Sequence, residues 1–193
     1  MKRNLLVAVA ILVALAFTEV KAVENKQEMA LGLNASRTLD SKVDLMFHLN
    51  INNLMVSYPY GYLGANLKLN KNFNAELLLG YGFEKEKGSR GFVYGIAPWV
   101  KLGKFNWEGD YEYWSGPDCH FFYTDLTYPL WIGRIGIDNR DYFYQKQNQL
   151  YQFGPSFRIP FSEHASLALI YFYSIEGHGK DANLFRVKLN LKF

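Results

Sequence analysis

Three side chains that could form an acyl-transfer centre lie close together in this sequence. Ser115, Asp118 and His120 fall within one short segment, and a serine activated by a histidine that an aspartate orients is an established nucleophilic arrangement. The segment also contains Gly116 and Pro117, so it reads equally as a string of turn-forming residues. Because nearness in sequence does not establish hydrogen-bond geometry, we assign no catalytic residue. A lipid-modifying acyl hydrolase or transferase is kept as an alternative function.

The sequence gives little support for a cofactor or a metal site. Cys119 is the only cysteine, so no intrachain disulfide can form, and Cys119 with His120 is too small a set to bind a metal. His178 stands alone in a glycine-rich segment. No phosphate-binding glycine loop or metalloenzyme spacing is present. We expect neither a cofactor nor a metal.

Charged side chains instead recur at every second position of apolar segments. From residue 105 to residue 113, aromatic residues and one glycine alternate with polar residues, three of them acidic. Residues 182–193 show the same period with basic residues on one face. An alternation of period two predicts a β-strand with one apolar and one polar face. The apolar face of the last segment consists of Phe185, Val187, Leu189, Leu191 and Phe193.

The amino-terminal segment has the features of a secretory signal peptide. Lys2 and Arg3 precede an apolar stretch over residues 5–17, and small residues near Ala22 provide a cleavage site. The apolar stretch is shorter than the roughly 20 residues that a membrane-spanning helix needs. We expect residues 1–22 to be a cleaved signal peptide.

The remaining 171 residues are long enough for one domain and carry 18 basic and 17 acidic side chains, a net charge of +1. This balance does not favour a nucleic-acid partner. The chain is rich in aromatic residues, with 15 Phe, 14 Tyr and 4 Trp. No later apolar run could form a membrane helix, so a membrane-spanning fold would have to be a closed barrel. The alternative is a soluble lipocalin-like barrel, whose apolar faces would point inward.

The pattern of strands and turns predicts an all-β fold. We expect residues 23–41 to be a periplasmic lead-in, in which Met29, Leu31 and Leu33 could start a short strand or cover the end of the barrel. Residues 42–193 are expected to form a single antiparallel up-and-down transmembrane β-barrel of about ten strands, with eight or twelve as alternatives. Short turns would occur near 70–72, 102–103, 129–130 and 160–163, and longer loops near 51–58, 84–90, 114–118, 139–147 and 175–181. The ten predicted strands are 42–50, 59–69, 73–83, 91–101, 104–114, 119–128, 131–138, 148–159, 164–174 and 182–193.

The two faces of such a barrel have different roles. Aromatic residues would form girdles at both membrane interfaces, with Tyr111, Tyr113 and Trp114 at one rim and Trp131, Phe157 and Phe193 at the other. The charged face would point into a narrow lumen, where buried charges must pair or be hydrated. We expect an ion-pair network that largely plugs the lumen, and the alternative is a narrow channel for small solutes. The network would comprise Glu76, Glu108, Asp110, Glu112, Asp125, Arg134, Arg158, Arg186 and Lys188.

Together, the signal peptide, the alternating strands and the terminal Phe193 resemble small Gram-negative outer-membrane barrels of the OmpA/OmpX type. The resemblance implies export to the outer membrane, contact with outer-membrane lipids, and assembly by periplasmic chaperones and the barrel-insertion machinery. In such barrels the last strand is the assembly signal, here Phe185 to Phe193. A monomer with no nucleic-acid partner and a structural or surface-interaction role is implied, rather than an enzyme.

Overall fold

A computed structural model describes residues 24–52, 58–84, 88–145, 149–176 and 182–193. These residues form one closed, all-β barrel, which confirms the predicted fold class. No helix in the described part of the chain is long and apolar enough to cross a membrane. The strands are β1 (Glu24–Thr38), β2 (Val43–Asn52), β3 (Tyr58–Asn70), β4 (Phe73–Glu84), β5 (Gly88–Leu102), β6 (Phe105–Trp114), β7 (Cys119–Leu130), β8 (Gly133–Tyr144), β9 (Leu150–Pro160), β10 (Ala165–Glu176) and β11 (Ala182–Lys192).

The barrel has eleven strands where about ten were expected, and one of its strand pairs is parallel. Each strand pairs antiparallel with its neighbours in sequence, and β1 closes the ring against β11. In an up-and-down order, strands one and eleven run in the same direction. The closing pair is therefore parallel, with Glu24 opposite Ala182 and Asn34 opposite Lys192.

The additional strand is β1, which occupies most of the segment where an irregular lead-in was expected. Its outward residues include Met29 and Leu31, whereas Ala30 and Gly32 are buried on the inner side. These small inner residues and the polar residues around them hide the alternation in the sequence. The last residue is tied to this strand, because the backbone N–H of Phe193 donates to the carbonyl of Asn34 at 2.8 Å. The predicted signal peptide, residues 1–22, lies outside the described residues.

The two ends of the barrel are connected differently. At one end, called the turn end, links of two to four residues join β1 to β2, β3 to β4, β5 to β6, β7 to β8 and β9 to β10. At the other, called the loop end, the links span three to five residues. From β2 onward, the links between strands fall at or next to the positions predicted for turns and loops, but the loop-end links are shorter than expected, most clearly at 139–147, where only residues 145–149 separate the strands. Strand β8 continues to Tyr144, because its aromatic residues pair with β7, as in His120 opposite Phe143.

The outer and inner faces of the barrel differ sharply in polarity. Large apolar side chains on the outside are 38–63 % exposed, while polar side chains such as Asp125, Asp138 and Arg186 are buried inside. This is the reverse of a lipocalin-like barrel. The outward set, called here the apolar belt, consists of Leu45, Phe47, Leu63, Leu77, Leu79, Tyr81, Phe92, Tyr94, Ile96, Leu126, Ile135 and Ile137.

Candidate functional site

The middle of the lumen contains three carboxylates in a row around one arginine. Glu108 on β6, Asp125 on β7 and Asp138 on β8 are direct register partners across neighbouring strands. Arg158 on β9 reaches all three: its Nη2 lies 2.6 Å from Asp125 Oδ2 and 3.7 Å from Asp138 Oδ2, and its Nη1 lies 3.7 Å from Glu108 Oε2. Nη2 also donates a hydrogen bond to the hydroxyl of Tyr123 at 2.8 Å. These five residues are called the central charge cluster.

Burial makes the central charge cluster dependent on its arginine. The side chains of Asp125 and Asp138 are fully buried, whereas that of Glu108 is 37 % exposed. Neither carboxylate oxygen of Asp138 accepts a hydrogen bond from a described residue. Because like charges repel and burial removes their hydration, the Arg158 guanidinium is the main compensation for two buried carboxyl groups.

A second polar group lies on the wall formed by β1, β2 and β4. The Nε2 of His48 lies 2.7 Å from Glu76 Oε1, and its Nδ1 lies 2.6 Å from Asn34 Oδ1. Gly64 on β3 makes room for this arrangement, because a Cβ atom there would collide with the carboxylate of Glu76. Nearer the turn end, Lys68 Nζ forms an ion pair with Asp44 Oδ1 at 2.6 Å.

Positive charge gathers on the other side of the lumen, along β8 and β11. Arg140 and Arg186 both approach the ring of the buried Phe172, with Cζ-to-centroid distances of 4.6 and 5.9 Å. Such contacts stabilise a guanidinium that has lost part of its water. Lys188 follows Arg186 by two residues and points to the same side. Arg140, Arg186 and Lys188 are called the basic wall.

A cluster of mainly apolar side chains lies at the loop end of the lumen, on β5 to β8. Val93, Trp114 and Cys119 are buried there and pack against Phe121, Tyr142 and Tyr144. The rings of Trp114 and Phe121 are stacked, with centroids 5.4 Å apart. Trp114 was expected at the outer rim, but it faces inward, because Tyr113 takes the outward position before it. These six residues are called the aromatic cap.

Two cavities occupy the lumen on the turn side of the aromatic cap. The first has a volume of about 340 Å³, and its lining runs from Trp114 in the cap to Asn190 near the turn end. The second has a volume of about 280 Å³. Both cavities are lined by Glu108, Asp110 and Tyr123, so they adjoin at this point.

The residues predicted to form the lumen network lie in different parts of the barrel. Glu108, Asp125 and Arg158 make the ion pairs described above, Glu76 contacts His48, and Glu112 accepts a hydrogen bond from Trp114 Nε1 at 2.7 Å. Asp110, Arg186 and Lys188 line the larger cavity. Arg134 is different, because it is exposed near the turn end of β8.

Sequence reasoning missed four members of these groups: His48, Tyr123, Asp138 and Arg140. On β8, Asp138 and Arg140 lie on the inner face, whereas Ile135 and Ile137 lie on the outer face. This alternation could have identified Asp138 and Arg140 as lumen residues. The signal was lost because the strand was predicted to end at residue 138.

The residues considered for acyl transfer are each hydrogen-bonded to a different neighbour. The Oγ of Ser115 accepts from the backbone N–H of Phe92 at 2.8 Å, and Asp118 Oδ1 accepts from the hydroxyl of Tyr113 at 2.8 Å. His120 Nδ1 is hydrogen-bonded to the Tyr111 hydroxyl at 2.9 Å. The three residues therefore do not form a nucleophile–base–acid chain. Nowhere in the described residues do three or more His, Cys, Asp or Glu side chains form a group that could hold a metal.

The predicted assembly signal lies on the outer face of β11. Leu189 is 37 % exposed, and Phe193 just beyond the strand is 73 % exposed. Phe185 packs beside Tyr171 in the register of β10 and β11. The inner residues of the same strand include Leu184, Arg186 and Lys188, so β11 separates an apolar outer face from a charged inner one.

Comparison with known proteins adds no family to this geometry. No protein-family model matches the sequence, and the search of curated proteins finds no match. Function is therefore inferred from the outer surface, the charges and the cavities of the barrel.

Proposed function

We propose that the protein is an integral outer-membrane β-barrel with a closed lumen and a structural role in the envelope. The observation that carries this proposal is the apolar belt, whose twelve large side chains face outward on β2, β3, β4, β5, β7 and β8. Exposed apolar surface of this extent is unfavourable in water and marks a membrane or protein contact. Inward charges and outward apolar residues are the arrangement expected of a barrel in lipid.

The lumen supports a closed barrel rather than an open pore. The aromatic cap lies at its loop end, and the central charge cluster and basic wall project into its middle. The interiors of barrels of this size tend to be filled by side chains. Because a closed lumen would not conduct solutes, a structural role in envelope stability is the function that the geometry supports best. Surface interaction is a lesser role, since the links at the loop end span only three to five residues.

The membrane proposal is tested by cell fractionation and by the heat-dependent gel mobility of a folded barrel. We expect the full-length protein in the outer-membrane fraction, and deletion of Phe193 to lower its level there and leave protease-sensitive chain in the periplasm. A matched control is Phe161→Ala, which removes an exposed aromatic residue outside the last strand and keeps the assembly signal intact. Normal insertion of the protein without Phe193 would count against its role as an assembly signal, and recovery of the full-length protein in a soluble fraction would count against membrane insertion.

A narrow channel for small solutes is the second candidate, and the two adjoining cavities favour it. Single-channel recording in planar bilayers separates the two candidates. The closed barrel predicts no stable conductance steps, whereas a channel predicts discrete steps that change when Asp110 is replaced by Asn. Acyl transfer is not proposed, because Ser115 and His120 are hydrogen-bonded to other residues.

A further inference from the structure

Two opposite charges face the larger cavity from opposite sides of the barrel. Asp110 lies on β6 and Lys188 on β11, and both line the cavity of about 340 Å³. In the closed ring of eleven strands, β6 and β11 are five strands apart in one direction and six in the other. The two side chains therefore approach the cavity from nearly diametrically opposite walls.

Neither side chain forms a direct ion pair with a described residue, although Asp110 and Lys188 act on each other electrostatically across the cavity. Asp110 Oδ1 is buried and accepts no hydrogen bond from an N–H or hydroxyl group of the described residues, and its carboxyl neighbours Glu112 and Glu76 have the same sign. Lys188 makes no hydrogen bond or ion pair with any residue that the structure describes. Glu108 and Arg158 line the same cavity but lie 3.7 Å from each other. Because a charge in a low-dielectric interior is stabilised by direct contact with an opposite charge, ligand groups of opposite sign beside Asp110 and beside Lys188 would be favourable.

We infer that this cavity binds a small zwitterionic solute, with the ammonium group at Asp110 and the carboxylate at Lys188. Arg186, next to Lys188 on the basic wall, adds positive potential on the carboxylate side. The volume of about 340 Å³ is at the lower end of the range for ligand pockets, roughly 300–1,000 Å³, so the ligand class is an amino acid or a very short peptide. The inference goes beyond the proposed function, because a closed structural barrel needs no ligand.

The second cavity provides the route of entry. It adjoins the first at Asp110 and is also lined by Asn66 and Asn74, which lie towards the turn end of β3 and β4. The aromatic cap lies on the other side, at the loop end. The ligand would therefore enter from the turn end, and binding would not require a passage through the barrel.

Isothermal titration of the folded, detergent-solubilised barrel tests the site with defined probes. The zwitterions are glycine, glycylglycine and triglycine, which differ in the separation of their charges. For each one, the N-acetylated form retains only the carboxylate and the C-terminal amide retains only the ammonium group. We expect at least one zwitterion to bind saturably, and at least tenfold more tightly than either of its blocked forms. This comparison uses the wild-type protein and does not depend on how a variant folds.

Two variants then assign the charges. Asp110→Asn should weaken binding of the zwitterion at least tenfold and abolish the preference over the N-acetylated form. Lys188→Met should weaken it similarly and abolish the preference over the amide. Lys192→Met, an exposed position on the same strand, and Asp141→Asn, on the outer side of β8, are the matched controls and should bind as wild type. The inference is overturned if no zwitterion binds at 10 mM, if the blocked forms bind equally well, or if the folded Asp110 and Lys188 variants bind as wild type.

Discussion

The aromatic cap and the central charge cluster both face the lumen but are stabilised by different means. In the cap, rings such as Trp114 and Phe121 pack by shape, with centroids 5.4 Å apart. In the cluster, Arg158 compensates Asp125 and Asp138, whose side chains are fully buried. Packing of rings tolerates other apolar residues of similar size, because dispersion is not directional. A buried ion pair requires its partner, because removing one charge leaves the other without compensation. The two regions should therefore respond differently to conservative and to disruptive changes.

The largest effect is expected in the central charge cluster. Arg158→Met should lower the free energy of unfolding by about 3–5 kcal/mol, because Asp125 and Asp138 lose their common partner. Urea titration in phospholipid vesicles, followed by tryptophan fluorescence, measures this. Arg134→Met, at the exposed arginine of β8, is the control and should have little effect. Adding Asp138→Asn to Arg158→Met should recover part of the loss. Unchanged stability of Arg158→Met would contradict the ion-pair interpretation.

The aromatic cap should be sensitive to volume rather than to chemical identity. Trp114→Ala should cost about 3 kcal/mol, because it leaves a cavity against Phe121 and Tyr142. Trp114→Phe should recover the part of this loss that comes from packing, but not the hydrogen bond from Trp114 Nε1 to the buried Glu112. Arg158→Lys should recover little in the charge cluster, since lysine lacks the planar fork. Trp131 is 88 % exposed, so Trp131→Ala is the control and should change stability by less than about 1 kcal/mol. If Trp114→Ala and Trp114→Phe lower the free energy of unfolding equally, the aromatic cap would not differ from the central charge cluster in its response to a conservative change.

The outer face of the barrel should respond differently from both regions. A charged side chain that is tolerated in the lumen should be unfavourable on the outer face. Leu79 lies in the middle of β4 and is 63 % exposed. In vesicles, Leu79→Arg should lower stability by about 2–4 kcal/mol, the cost of an arginine on a lipid face near the midplane. Leu69→Arg, close to the turn end, should cost no more than about 1 kcal/mol. Equal urea midpoints for both variants would argue against a lipid-facing belt.

The smallest effect is expected near the turn end, where water reaches the ion pair of Lys68 and Asp44. Their side chains are 35 % and 14 % exposed. Solvent screening limits such a pair to less than about 1 kcal/mol, so Lys68→Met should have only a small effect on unfolding. Adding salt should reduce this difference further. A loss as large as that of Arg158→Met would mean that burial does not explain the difference between the two ion pairs.

The sequence predicted the faces of the strands well, because each strand carries its own alternation. In β6 and β11, the inner Asp110, Glu112, Arg186 and Lys188 were all identifiable from a period of two. Strand β1 was harder to recognise, because its inner residues are as small as Ala30 and Gly32. The parallel closure follows from the odd strand number, so overlooking one strand also concealed it.

The partners of the lumen charges could not be predicted in the same way. Arg158 lies on β9, while its carboxylate partners lie on β6, β7 and β8. Which side chains meet across a lumen depends on the register and tilt of the whole barrel, and neither is encoded in a single strand. The sequence therefore placed Glu108 and Arg158 in one network without pairing them, and the structure places Arg158 Nη1 3.7 Å from Glu108 Oε2.

The central claim is that the apolar belt faces lipid, and a spin label at Leu79 tests it most directly. The label is attached to Leu79→Cys in a Cys119→Ala background, with a second label at the inward-facing Ser166 as the control. In vesicles, paramagnetic relaxation is compared between oxygen, which concentrates in lipid, and a water-soluble nickel chelate. We predict that the Leu79 label relaxes with oxygen and is shielded from nickel, unlike the label at Ser166. Strong relaxation of the Leu79 label by nickel, with little by oxygen, would contradict the proposal that this barrel spans a membrane.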